Sequence, residues 1–253
     1  MNWAGIGAIY RFEMARWKRT LWQSVVAPVI TTSLYFLVFG SAIGGRMSAM
    51  QGIDYGSFIV PGLILLSVLQ QSIFNASFGI YFPKFTGTIY ELLSAPLSAF
   101  ETVLGYVGAA VTKAVLLALI TLATAFAFVP VQIMHPGLML LFLIAISTGF
   151  CLLGFAIGVW AKNFEQLQVV PLLVVTPLTF LGGVFYSVDA IAEPWRTLTH
   201  LNPILYLVSG FRWTFFGLAD VPLAASLGVM AAAIALPLVA IVAIFRTGYR
   251  LKA

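Results

Sequence analysis

The sequence predicts an all-α membrane protein with six transmembrane helices in a single domain, residues 1–253, and three observations carry that reading. The chain is 61% hydrophobic and only 8% charged, with a mean hydropathy of +1.04, whereas soluble globular domains carry about 25% charged residues. Its apolar residues fall in unbroken blocks close to the ~20 residues a spanning helix needs. A β-barrel would instead alternate over segments of about 10 residues. Lysine and arginine, finally, are distributed unevenly over the loops between the blocks.

The first element is residues 1–20. Trp3, Ile6, Tyr10, Met14, Trp17 and Leu21 recur at spacings of three and four, with Arg16 and Arg19 opposite and Arg11 and Lys18 at the flanks. This is the pattern of a helix in the membrane interface, aromatics among the headgroups and cations towards anionic lipid; a solvated basic leader is the other reading. The apolar run from Leu21 to Ile43 exceeds the 7–15 residues of a signal-peptide core, so it reads as a retained first span.

Apolar blocks follow at roughly 21–44, 57–80, 106–130, 137–160, 167–186 and 224–245. With six spans, ten of the 13 basic residues fall on the side of the two termini: Arg11, Arg16, Lys18, Arg19, Lys84, Lys113, Lys162, Arg246, Arg250 and Lys252. Only Arg46, Arg196 and Arg212 fall on the other. Excess Lys and Arg marks the cytoplasmic face, so both termini are expected inside. A seventh span at 198–218 would move the C-terminal cluster outside and weaken that bias.

Residues 187–222 then form an external excursion. Asp189, Glu193, Pro194, Arg196, His200 and Pro203 interrupt it, and Arg212 at a helix centre would cost about 2.5–3.5 kcal/mol. A helix that dips into the outer leaflet and returns fits this mixture, Arg212 snorkelling to the headgroups; an external helix lying flat on the surface is the alternative. On the cytoplasmic side, residues 82–105 hold a short amphipathic element, Ile89-Tyr90-Glu91-Leu92-Leu93, closed by Pro96. So short a helix is marginal alone in water and needs a partner surface.

Polar residues inside the spans mark candidate function. Ser67, Gln71 and Asn75 fall at i, i+4 and i+8 on one face of the second span, with Gln70 beside them. Such a stripe avoids lipid; it either glues helices together or lines a path. Pro171, Thr176, Pro177, Thr179 and Gly182-Gly183 give the fifth span a kink and a close neighbour. The only cysteine, Cys151, lies in an apolar block. The sequence contains no H-E-x-x-H, G-x-S-x-G or G-x-x-x-x-G-K-[ST], and no carboxylate pair within a span. Intramembrane hydrolysis and ion-coupled pumping therefore lack their usual residues, and no catalytic or metal site is expected. Lys113, the one deep charge, is expected to snorkel to the cytoplasmic interface.

The order of these elements, with "GTIYELLSAPLSAFE" between spans two and three and "TPLTFLGGVFYSVDAI" leading into "WRTLTHLNPILYLVSGFRWTFFGLADVP" after span five, resembles the ABC-2 type permeases, membrane subunits of exporters with the type V fold. It is nearest the stand-alone bacterial inner-membrane permeases related to nodulation-factor and drug exporters, and the resemblance covers essentially the whole chain. It implies a homodimer among membrane lipids, each copy bound to a separate ATP-binding cassette subunit that holds ATP and Mg, with no cofactor in the permease and no role for nucleic acid. It implies a coupling helix at Gly87, Thr88, Ile89, Tyr90, Glu91, Leu92, Leu93 and Pro96, with Glu91 as polar contact and Tyr90 and Leu92 as apolar anchors. A smaller contact falls at Lys162 and Glu165, a connecting helix at residues 1–20, and a re-entrant exit gate at Asn202, Pro203 and Arg212. An amphiphilic substrate (lipid, glycolipid or polysaccharide, or hydrophobic drug) would then leave by alternating access past Ser67, Gln71, Asn75, Thr176 and Thr179. A membrane scaffold, in which the polar stripe only joins helices, is the rival.

Overall fold

The computed structural model describes residues 1–43, 50 and 52–248. Arg46, Arg250 and Lys252, which entered the charge count, lie outside the described residues. Helix α1 (Trp3–Arg19) starts where the Asn2 side chain accepts a hydrogen bond from the Gly5 amide, and Arg16, Lys18 and Arg19 occupy its last turn, where cations favour the helix dipole. Helix α2 (Leu21–Tyr35) continues as a π-helical segment, Phe36–Ile43. A short helix α3 (Tyr55–Phe58), capped by Asp54, leads into α4 (Val60–Thr86). Helix α5 (Ile89–Ser94) precedes α6 (Ala99–Phe126), whose start is fixed by a reciprocal Ser98–Glu101 capping box. Helix α7 (Pro136–Trp160) begins on a proline, whose missing N–H costs nothing there.

Helices α8 (Phe164–Val170) and α9 (Thr176–Phe180) are joined by a π-helical turn at Pro171–Val175. Helix α10 (Trp195–His200) and α11 (Pro203–Phe216) precede α12 (Leu223–Thr247).

Among the described residues, five helical runs are long and apolar enough to cross a membrane: Leu21–Gly40, Tyr55–Thr86, Ala99–Phe126, Pro136–Trp160 and Leu223–Thr247. These correspond to five of the six expected blocks. The block expected at 167–186 is a shorter run, Phe164–Phe180. Turns occupy 181–186 because Gly183 sits at φ +77°, a left-handed conformation that ends a helix and suits glycine. Several other runs extend past the expected edges: capped polar ends such as Ser98 and Glu101 continue the helix beyond its apolar stretch.

Helix α4 is the axis of the bundle. Its flanks carry the largest core cluster, including Phe58, Ile59, Leu65, Leu69, Leu143, Val208 and Phe211. Helices α2 and α12 lie at the periphery with most of their surface exposed, as lipid-facing helices do. Between α4 and α7 the backbones nearly touch. A Cβ built on Gly154 would lie 2.4 Å from the Ile73 carbonyl oxygen, and one on Gly158 would lie 2.4 Å from that of Ser77. This is small-residue packing of the kind that lets membrane helices approach closely. A backbone carbonyl cannot swing aside, so Gly158→Ala is expected to destabilise the protein by about 1–3 kcal/mol. Thermal unfolding of the detergent-solubilised chain measures this, with Gly108→Ala as control, since Gly108 has open space around it.

Candidate functional site

The short amphipathic element stands at one end of the bundle, held by its neighbours. Gly87, at φ +81°, stops α4 and turns the chain. Thr88 is exposed, and its hydroxyl lies 2.9 Å from that of Thr86. Ile89 is buried in a cluster with Val103, Tyr106 and Phe155, and Leu92 packs against the same cluster. Tyr90, Glu91 and Leu93 face outward, and Pro96 is exposed. The apolar residues offered by the free face of α5 are therefore Tyr90 and Leu93; Leu92, expected as an anchor for a partner, is turned to the chain's own core.

The second expected contact lies near the C-terminal end of α4. Lys162 and Glu165 are exposed at the start of α8. The Lys84 ammonium donates to the carbonyls of Val159 at 2.9 Å and Ala161 at 3.2 Å, satisfying orphan groups at the end of α7. Tyr81 donates its hydroxyl to the Lys162 carbonyl at 2.9 Å. The Phe164 ring packs on Tyr81 and Phe85, with centroids 4.9 Å from each. The N-terminus joins this end too: Asn2 donates from its amide to Glu101 and from its side chain to the Pro96 carbonyl.

The polar residues of α4 divide between two roles. Gln70 donates to the Thr176 hydroxyl at 3.0 Å and so links α4 to α9. Asn75 donates to the Gln71 carbonyl at 2.8 Å, and both residues line a cavity of about 540 Å³ with Arg16, Trp17, Phe74, Phe78 and Lys113. Gln70, Gln71 and Thr176 line an adjoining cavity of about 270 Å³ with Gln168 and Pro171. Ser67 is half-buried. Thr179 is fully buried and gives its hydroxyl to the Val175 carbonyl at 2.6 Å, so it is spent within its own helical run.

Two buried charge clusters went unforeseen. Lys113 does not snorkel: it is 2% exposed and its ammonium meets Glu13 at 2.9 Å. Glu13 also pairs with Arg16 at 2.7 Å, and Arg16 lies 5.0 Å over the Phe78 ring. The buried face of α1 is thus Ile6, Ile9, Glu13 and Trp17, packed lengthwise on α6, while Trp3 from the expected stripe is 68% exposed. The sequence signal was available: a glutamate four residues from Ile9 and four from Trp17 sits on the apolar side of the helix.

Arg212 does not reach outward either. It is 1% exposed and pairs with Asp220 at 2.6 Å. Its second terminal nitrogen donates to the Gly183 carbonyl, and its guanidinium lies 4.0 Å over the Phe58 ring. Asp220 accepts a further hydrogen bond from Ser187 at 2.6 Å, and its amide donates to Ser209 at 2.8 Å. Gly217, at φ +69°, reverses the chain so that Asp220 returns to α11. At the other end of α11, exposed Pro203 occupies the first helical position, and Asn202 caps the Ile204 amide and donates to the Leu178 carbonyl. The amides of Met134 and His135 donate to the carbonyls of Phe215 and Thr214. Helix α11 therefore begins and ends at the same end of the bundle, near the end of α9 and the start of α7.

Among the described residues the chain is thus a nearly all-helical bundle with several apolar runs, polar cavities along its central helix and a short exposed element at one end. The description "ABC-2 type transporter" matches residues 5–216, and the chain belongs to that family of ABC transporter permeases. Among its relatives is the "Inner membrane transport permease YadH" of Escherichia coli (strain K12), 41% identical over 230 residues, which are 91% of this chain and 90% of the relative. "Nodulation protein J" of Neorhizobium galegae is 24% identical over 97% of this chain and 93% of its own length. The protein is accordingly a multi-pass protein of the inner membrane.

Proposed function

We propose that the chain is the membrane half of an exporter of the type V fold, working as a homodimer in which each copy binds a separate ATPase subunit. That partner supplies ATP and Mg. Both termini are cytoplasmic, and Phe164–Phe180 forms a sixth, short span. At about 1.5 Å per residue it reaches roughly 25 Å, slightly under the ~30 Å of hydrocarbon, which local thinning accommodates. Helices α10 and α11 form a re-entrant pair in the outer leaflet. Closure of the two ATPases pulls on α5, the permease copies rock, and an amphiphilic substrate leaves along the Gln71 and Asn75 face.

The observation that carries this reading is the free face of α5. Tyr90, Glu91 and Leu93 are exposed on a six-residue helix whose other face is anchored to the bundle. Lys162, Phe164 and Glu165 are exposed at the same end of α4, where they would add a second, smaller contact. Copurification tests the reading. The wild-type chain is expected to bring down an ATP-binding cassette subunit in equal numbers, and Glu91→Ala is expected to lower permease-dependent ATP hydrolysis. A chain that transports without any ATPase overturns the proposal. The scaffold reading draws on the Gln70–Thr176 link; nucleotide-dependent labelling of cysteines placed at Gln71 and Asn75 separates the two, uniform inaccessibility favouring the scaffold.

A further inference from the structure

We propose that the groove between α6 and α12 binds an anionic phospholipid, with an acyl chain in the groove and the phosphate on Arg246. Helix α12 packs on α7 and α11, and α6 on α1, α4 and α7, and an open cleft of about 340 Å³ is left between the two. Val103 and Ile241 are its buried floor, in the core cluster that also holds Phe155 of α7. Its sides are Phe100 on α6, 61% exposed, and Leu238 and Val242 on α12, 39% and 43% exposed. Arg246, in the last turn of α12, is the one charged residue among the described lining, and no carboxylate joins it there. It is exposed, and among the described residues its guanidinium has no ion pair.

An apolar cleft offers water no hydrogen-bond partners and stays dry, while an unfilled one forfeits the dispersion contacts of its lining. In a bilayer, what fills it is hydrocarbon. A tail lying there has its headgroup where α6 begins and α12 finishes, which is where Arg246 stands. Phe245, also in the lining, packs on the cluster that holds Ile89, so this end carries α5 and is cytoplasmic on the permease reading. Basic pockets between membrane helices on that side bind anionic headgroups. The guanidinium fork matches phosphate oxygens as a charge-assisted pair, and no carboxylate in the groove competes for it. A zwitterionic lipid brings the same phosphate, but its ammonium cancels the net charge. The lone arginine therefore favours the anionic lipid.

The test counts lipids on the full-length chain by native mass spectrometry from neutral detergent, titrating phosphatidylglycerol against phosphatidylcholine with the same tails. Phosphatidylglycerol is expected to bind about fivefold more tightly, the ratio that one cation near an anionic headgroup supplies. Arg246→Gln is expected to bring the two lipids level, and Val242→Trp, which fills the groove from its exposed wall, to remove most binding of both. Lys18→Gln, an exposed cation on α1, is expected to change the ratio by less than about twofold. Equal binding of the two lipids by the wild type overturns the proposal, as does an equal loss in Lys18→Gln and Arg246→Gln, the mark of a diffuse surface attraction. Undiminished binding in Val242→Trp would place the lipid elsewhere, and a dimer lost in that variant would mean that a second copy covers the groove; either result overturns the assignment. Glycerophosphoglycerol, the headgroup without tails, competing at the lipid's own concentration would mark a site for the free anion and overturn it too. Arg246 and Val242 are both exposed, and each variant reports independently should the other misfold. The measurement needs no ATPase: lost lipid preference with intact ATPase copurification refutes only this inference, and the converse refutes the permease reading alone.

Discussion

Replacing Arg212 by glutamine is expected to lower the thermal unfolding midpoint of the solubilised protein by about 10 °C. The variant leaves Asp220 buried without its cation, a loss of about 3–5 kcal/mol for an ion pair broken on one side, and each kcal/mol moves the midpoint by about 2–4 °C at this size. Both partners are 1% exposed, so water cannot take over the missing role. Arg212→Lys is expected to recover little, since a point charge cannot serve Asp220, the Gly183 carbonyl and the Phe58 ring together. Arg212→Met combined with Asp220→Leu removes both charges and is expected to recover most of the midpoint. A single Arg212→Gln variant that melts with the wild type would show that the pair carries no weight in this fold.

Glu13→Leu is the second large effect. It strands Lys113, whose side chain is 3% exposed, and leaves it beside Arg16 with no counter-charge. A destabilisation of about 3–5 kcal/mol is expected, seen as a lower unfolding midpoint and as earlier proteolysis of α1. Lys113→Met alone is milder, because Glu13 keeps Arg16. Joining Glu13→Leu to Lys113→Met should restore most of the loss, as neighbouring sites of one network are not additive. Additive losses would mean that the three charges act separately.

Hydropathy made the long spans legible, because hydrocarbon imposes the same demand on every residue of a crossing helix. Helix ends were harder to read, since caps such as Ser98 with Glu101 prolong a helix by local hydrogen bonding that carries no apolar signature. The fifth block was read too long for the opposite reason: Gly183 breaks a stretch that stays hydrophobic. The short element at Ile89–Ser94 was visible, but which of its faces is free was not, because that depends on where α6 and α7 lie. Both buried charges were expected to reach for headgroups. Glu13 and Lys113 are 100 residues apart, a separation that no local spacing rule spans. Arg212 and Asp220 are only 8 apart, yet their meeting depends on the turn at Gly217.

Lys84 belongs to one helix and finishes another. By closing the last carbonyls of α7 from the end of α4, it makes the two helices share a terminus, and Phe164 wedges the start of a third against the same spot. A load applied there has no single rod to bend. On the permease reading proposed above, it would be shared by the three together, and a small displacement at the rim would turn them as one unit.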